Sequence, residues 1–144
     1  MPVALRAWTN VRQLVAYLAI LILLVGLMEI LFPTEFIWLT QALANRLALR
    51  IVGVFGLLVG AVLLFACARR LVGLRTFVLI LGLYVIAGGT LALVSPGIVR
   101  DLMYWLVLDR KPGFQLAVLW ASGLVRIAIG AALLYAWARR PRTA

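Results

Sequence analysis

The chain has 144 residues, of which 67% are hydrophobic and 12% charged, with a net charge of +10. A soluble domain carries about half apolar and roughly a quarter charged residues, so this composition excludes a soluble globular protein and predicts an integral membrane protein of about four spans. The basic residues stand at the ends of apolar runs rather than on a polar face, which excludes a nucleic-acid-binding surface. The absence of histidine and the single Cys67 leave no metal or cofactor site, no redox pair and no catalytic constellation in view.

The first apolar run covers residues 14–32 and follows Arg6 and Arg12. It is longer than the core of a signal peptide and lacks a small-x-small cleavage site, so it reads as a retained helix. The connection that follows, PTEFIWLTQALANRLALR, opens at Pro33 and sets Phe36, Leu39, Leu43 and Leu47 at helical spacing against Glu35, Gln41, Asn45 and Arg46. It predicts a short amphipathic helix lying in the membrane interface. The second span is predicted over 51–68 and the third over 77–94. A second amphipathic connection, PGIVRDLMYWLVLDRKPG, opens at Pro96, and the fourth span is predicted over 119–138. Each span is long enough to cross a hydrocarbon core of about 30 Å as a helix.

Charge orients the chain. Arg6, Arg12, Arg69, Arg70, Arg75, Arg139, Arg140 and Arg142 fall on one side with no acid among them, while all four acids, Glu29, Glu35, Asp101 and Asp109, fall on the other. This bias places both termini in the cytoplasm of a bacterial inner membrane. The clusters Arg69/Arg70/Arg75 and Arg139/Arg140/Arg142 set topology and contact anionic headgroups. Trp38, Tyr104, Trp105 and Trp120 on the outside, and Trp8, Tyr135 and Trp137 on the inside, mark the two interfaces.

The second and fourth spans end alike. GAVLLFACARR (60–70) and GAALLYAWARR (130–140) are identical at eight of eleven positions. In the same register Gly53 matches Gly123, and with an offset of 63 instead of 70 Gly26 matches Gly89 and Pro33 matches Pro96. Each half then reads as span, proline, interfacial helix, span, Arg-Arg. Each crosses twice and keeps one orientation, a parallel duplication about an axis along the membrane normal. The expected architecture is an all-α integral membrane four-helix bundle of two parallel-duplicated helical hairpins, 1–70 and 71–144, with two short interfacial amphipathic helices.

One half, GLMEILFP followed by an amphipathic stretch and RIVGVFGLLVGAVLLFACARR, resembles the small two-span YjeT-like inner-membrane proteins. Their pattern is an apolar span ending in a glycine and proline, a short amphipathic segment, and a glycine-rich span after an arginine. Where that family often has a glutamate before the glycine, this chain has Val25, and Glu29 stands four residues on. The whole chain also resembles, more loosely, the DoxX-like four-helix membrane proteins. These resemblances imply a helical membrane fold and no particular reaction.

Three features are candidates for function. Glu29 lies one turn before Pro33, about 6 Å inside the outer boundary at 1.5 Å per residue, where a carboxylate is costly and marks a site by default. Arg126 lies at similar depth in the fourth span and is one candidate partner for it; Arg50 is the other. Gly53, Gly56 and Gly60, echoed by Gly123 and Gly130, form small-residue faces that either pack the bundle or dock another membrane subunit. Cys67 reads as a buried inert thiol, and Asp101 and Asp109 as surface ion pairs with basic neighbours. The function expected is that of a non-enzymatic accessory or assembly subunit packing against a larger membrane complex or a second copy of itself. The alternative is a small proton- or cation-coupled transporter or channel using Glu29, which requires that Glu29 face a water-accessible cavity.

Overall fold

The computed structural model describes residues 2–69 and 72–139. Six α-helices follow in order: α1 Pro2–Leu31, α2 Pro33–Leu43, α3 Arg46–Ala68, α4 Arg75–Val94, α5 Pro96–Met103 and α6 Pro112–Ala138, with a π-helical turn at Tyr104–Leu108 before α6. No strand occurs among the described residues. Four helices are long and apolar enough to cross a membrane: Asn10–Leu31 within α1, and α3, α4 and α6. This is an all-α, multi-pass membrane protein. The helices start earlier than the apolar runs, because polar residues continue a helix as readily as apolar ones; α6 begins at Pro112, where a proline suits the first turn, rather than near 119.

The two prolines stop α1 and α4 in the same way. A proline pushes the residue before it out of the helical region, and Phe32 (φ −129°, ψ 61°) and Ser95 (φ −133°, ψ 63°) adopt nearly the same angles. The last helical bonds also correspond, Phe32 N–H to Met28 O at 2.8 Å and Ser95 N–H to Leu91 O at 2.9 Å. Pro33 and Pro96 then occupy the first turn of α2 and α5, where the missing N–H costs nothing. Asn45 caps α3 by accepting the Ala48 N–H at 2.8 Å.

The spans pair across the two halves of the chain. α1 lies along α6 and α3 along α4; the two spans of one half, α1 and α3, touch far less. Pairing therefore differs from the hairpins expected within 1–70 and 71–144, and glycine is the reason. A methyl group on Gly26 would fall 2.7 Å from Gly123 O, and one on Gly123 would fall 2.8 Å from Gly26 O. In the other pair Gly53 and Gly89 stand in the same relation, 2.8 Å in both directions. Further along, Gly130 meets Ala19 O at 2.9 Å and Gly60 meets Gly82 O at 3.0 Å. Backbones this close exclude any side chain, and close approach is what holds helices together where lipid is as apolar as the protein.

At the end carrying Arg12 and Arg75 the two pairs join. Val15, Ala19, Leu63, Ala66, Val78, Leu133 and Ala136 form one buried core drawn from all four spans. Gly73 N–H bonds Ala136 O at 2.8 Å, and Arg12 donates to Trp137 O at 2.9 Å. Outside this core Leu49 and Leu119 are also buried, while many large apolar side chains of the spans face outward, as lipid-facing helices require.

Candidate functional site

Glu29 is 2% exposed and is the buried charged side chain among the described residues. It lies three residues after Gly26 on α1. Arg126 lies three residues after Gly123 on α6. Because Gly26 and Gly123 bring these helices into backbone contact, the next residues on the same faces meet, and Arg126 Nη1 donates to Glu29 Oε2. The bond closes the first span onto the last. Arg50, the other candidate partner, is exposed on α3 and takes no part.

Two further residues complete the site. Ser122 on α6 lies one turn before Arg126, on the side of the Glu29 carboxyl. From α2, Phe36 places its ring 5.6 Å from the Arg126 guanidinium carbon, within cation–π range. Ser122 was in principle legible, since it precedes Arg126 by four residues and shares its helix face. Phe36 was not, because the break at Pro33 sets the direction of α2.

A carboxylate moved into hydrocarbon alone is strongly disfavoured. Here the guanidinium compensates it, and Arg126, with 38% of its side chain exposed, keeps one edge toward the surface. Such a pair contributes little net stability but makes the geometry specific, since removing either partner strands the other. It supplies no nucleophile. No group of three metal-ligating side chains occurs among the described residues. The groove beside α1 is lined by Glu35 and apolar side chains, and Glu29 is not among its walls.

The equivalent point of the other pair is uncharged. Three residues after Gly89 comes Ala92, buried, and three residues after Gly53 comes Gly56, whose Cβ position lies 3.3 Å from Gly89 Cα. The two crossings thus share a backbone and differ in chemistry at this one level.

Gly53, Gly56, Gly60, Gly123 and Gly130 all face a neighbouring span of the same chain, so these faces pack the bundle itself. Arg69 stacks on Phe65 at 5.6 Å and Arg139 on Tyr135 at 4.7 Å, while Arg75 is exposed at the start of α4. Arg70, Arg140 and Arg142 lie outside the described residues. Cys67 is buried and its thiol donates to Arg75 O at 3.3 Å. Asp101 pairs with Arg100 at 3.0 Å. Arg110, the basic neighbour of Asp109, instead donates to Trp105 O at 2.8 Å and lies over the Trp105 and Phe114 rings. Comparison with protein-family models, curated proteins and solved structures found no match.

Proposed function

We propose that this protein is a non-enzymatic accessory or assembly subunit of the bacterial inner membrane, with both termini in the cytoplasm, that packs against a larger membrane complex or against a second copy of itself. The observation that carries the reading is the Glu29–Arg126 bond. The buried charge is engaged by the protein's own last span, where a coupling site for protons or cations needs an acid open to water. The outward faces of the spans carry many exposed large apolar side chains. A partner would meet those faces in the bilayer.

The repeated features support a parallel duplication of a two-span unit resembling the YjeT-like proteins. Matching proline caps, matching glycine crossings and matching arginine–aromatic stacks recur at offsets of 63 in α1/α4 and 70 in α3/α6. In this reading each half completes the other, and the ion pair distinguishes one interface from its twin.

Extraction of the tagged protein in a mild detergent, followed by native mass spectrometry, tests the proposal. A stoichiometric membrane partner or a defined homo-oligomer is expected. A solitary monomer whose proton-coupled flux in proteoliposomes disappears on Glu29→Gln would overturn it in favour of transport.

A further inference from the structure

A groove of about 300 Å³ runs between α1 and α2. Its floor is Leu24, Met28 and Phe32, one turn apart, an apolar strip about 12 Å long at 1.5 Å per residue. Phe36 and Leu39 of α2 form the wall, and Glu35 closes one end. Glu35 is exposed, and among the described residues no cation or hydrogen-bond donor engages its side chain. Nearby on α2, Trp38 is also exposed, a residue type that settles at headgroup level. The groove is thus an aliphatic slot along a membrane span with a single unpaired negative charge at its polar end.

A second groove of about 430 Å³ lies between α4 and α5. Ala87, Leu91, Val99 and Leu102 line it, and each stands 63 residues after a lining residue of the first: Leu24, Met28, Phe36 and Leu39. At the position equivalent to Glu35 stands Ile98. The molecule therefore carries the same slot twice, once with an acid at its end and once without.

We propose that the groove between α1 and α2 holds one acyl chain of a membrane phospholipid bearing a primary ammonium headgroup, with Glu35 receiving the ammonium. The slot opens from the outside of the bundle, where lipid surrounds the spans. Its length follows the span, as a lipid tail does. The lone acid selects a cation at the tail's polar end, against the attraction of a chain of net charge +10 for anionic lipids. The groove between α4 and α5 takes a tail without preference for the headgroup.

The test uses the full chain in mild detergent with an equimolar mixture of phosphatidylethanolamine and phosphatidylglycerol of identical acyl chains, the retained lipids being counted by native mass spectrometry. Glu35→Gln is expected to lower retained phosphatidylethanolamine about three- to fivefold, the effect of one exposed ion pair, and to leave phosphatidylglycerol held by the arginine clusters unchanged. Ile98→Glu is expected to add a second retained phosphatidylethanolamine, and Leu24→Trp, which fills the first groove, to reduce its lipid. Equal phosphatidylethanolamine retention by the parent and Glu35→Gln proteins overturns the proposal, as does a protein segment rather than a lipid in the groove. Glu35 and Ile98 are exposed, so both variants keep the bundle folded, and unchanged melting confirms it.

Discussion

Glu29 and Arg126 form a unit whose parts are harmful alone. Arg126→Ala leaves a carboxylate buried among apolar groups and is expected to lower stability by about 3–5 kcal/mol. Glu29→Leu combined with Arg126→Met removes both charges at similar volume and is expected to remain close to the parent. Unfolding in mixed micelles of rising denaturing-detergent fraction measures both, and a double variant no better than Arg126→Ala would show that the pair is more than mutual compensation. The depth of each residue was legible, because distance from Pro33 and from the start of the last apolar run places both near one boundary. Arg126 rather than Arg50 is the partner because Gly26 brings α6, not α3, against α1.

At the scale of the helix, glycines of equal appearance differ in consequence. Gly26→Ala places a methyl 2.7 Å from Gly123 O, which forces α1 and α6 apart; a loss of about 1–3 kcal/mol is expected, typical of overpacking. Gly88 has nothing within 4 Å of its Cβ position, so Gly88→Ala is expected to be neutral or to stabilise α4 by up to about 1 kcal/mol through helix propensity. The same unfolding assay ranks the two. Helix ends were legible where proline dictates them, at Pro33 and Pro96. The Asn45 cap was not: helical spacing carried the amphipathic segment on through Leu47, whereas α2 ends at Leu43 and α3 begins at Arg46. Helix starts were not legible either, since Asn10, Arg12 and Gln13 continue a helix as readily as apolar residues do, and apolarity alone cannot mark that boundary.

For the molecule as a whole, the two crossings provide a test of the proposed duplication. Ala92 and Gly56 occupy the places of Glu29 and Arg126, so Ala92→Glu and Gly56→Arg each introduce an unpaired charge and are expected to destabilise. Together they are expected to recover at least about 1 kcal/mol as coupling energy in a double-mutant cycle; additive losses would show that the interfaces are not equivalent. Orientation is checked by thiol labelling in a Cys67→Ala background. Thr76→Cys, at the Arg75 end of the bundle, is expected to react only from the cytoplasmic side, and Lys111→Cys only from the opposite side.

The amino-acid sequence by itself determined the class of solvent, the number of spans, the breaks between them and the glycine register, because these depend on local composition, backbone chemistry and spacing. Only the tertiary structure decided which span meets which. Four helices of similar apolarity, each bearing a glycine face, admit more than one pairing, and hydropathy is the same in all of them. The choice rests on where backbones can touch at Gly26/Gly123 and Gly53/Gly89 and on the one pair of charges that meets when they do.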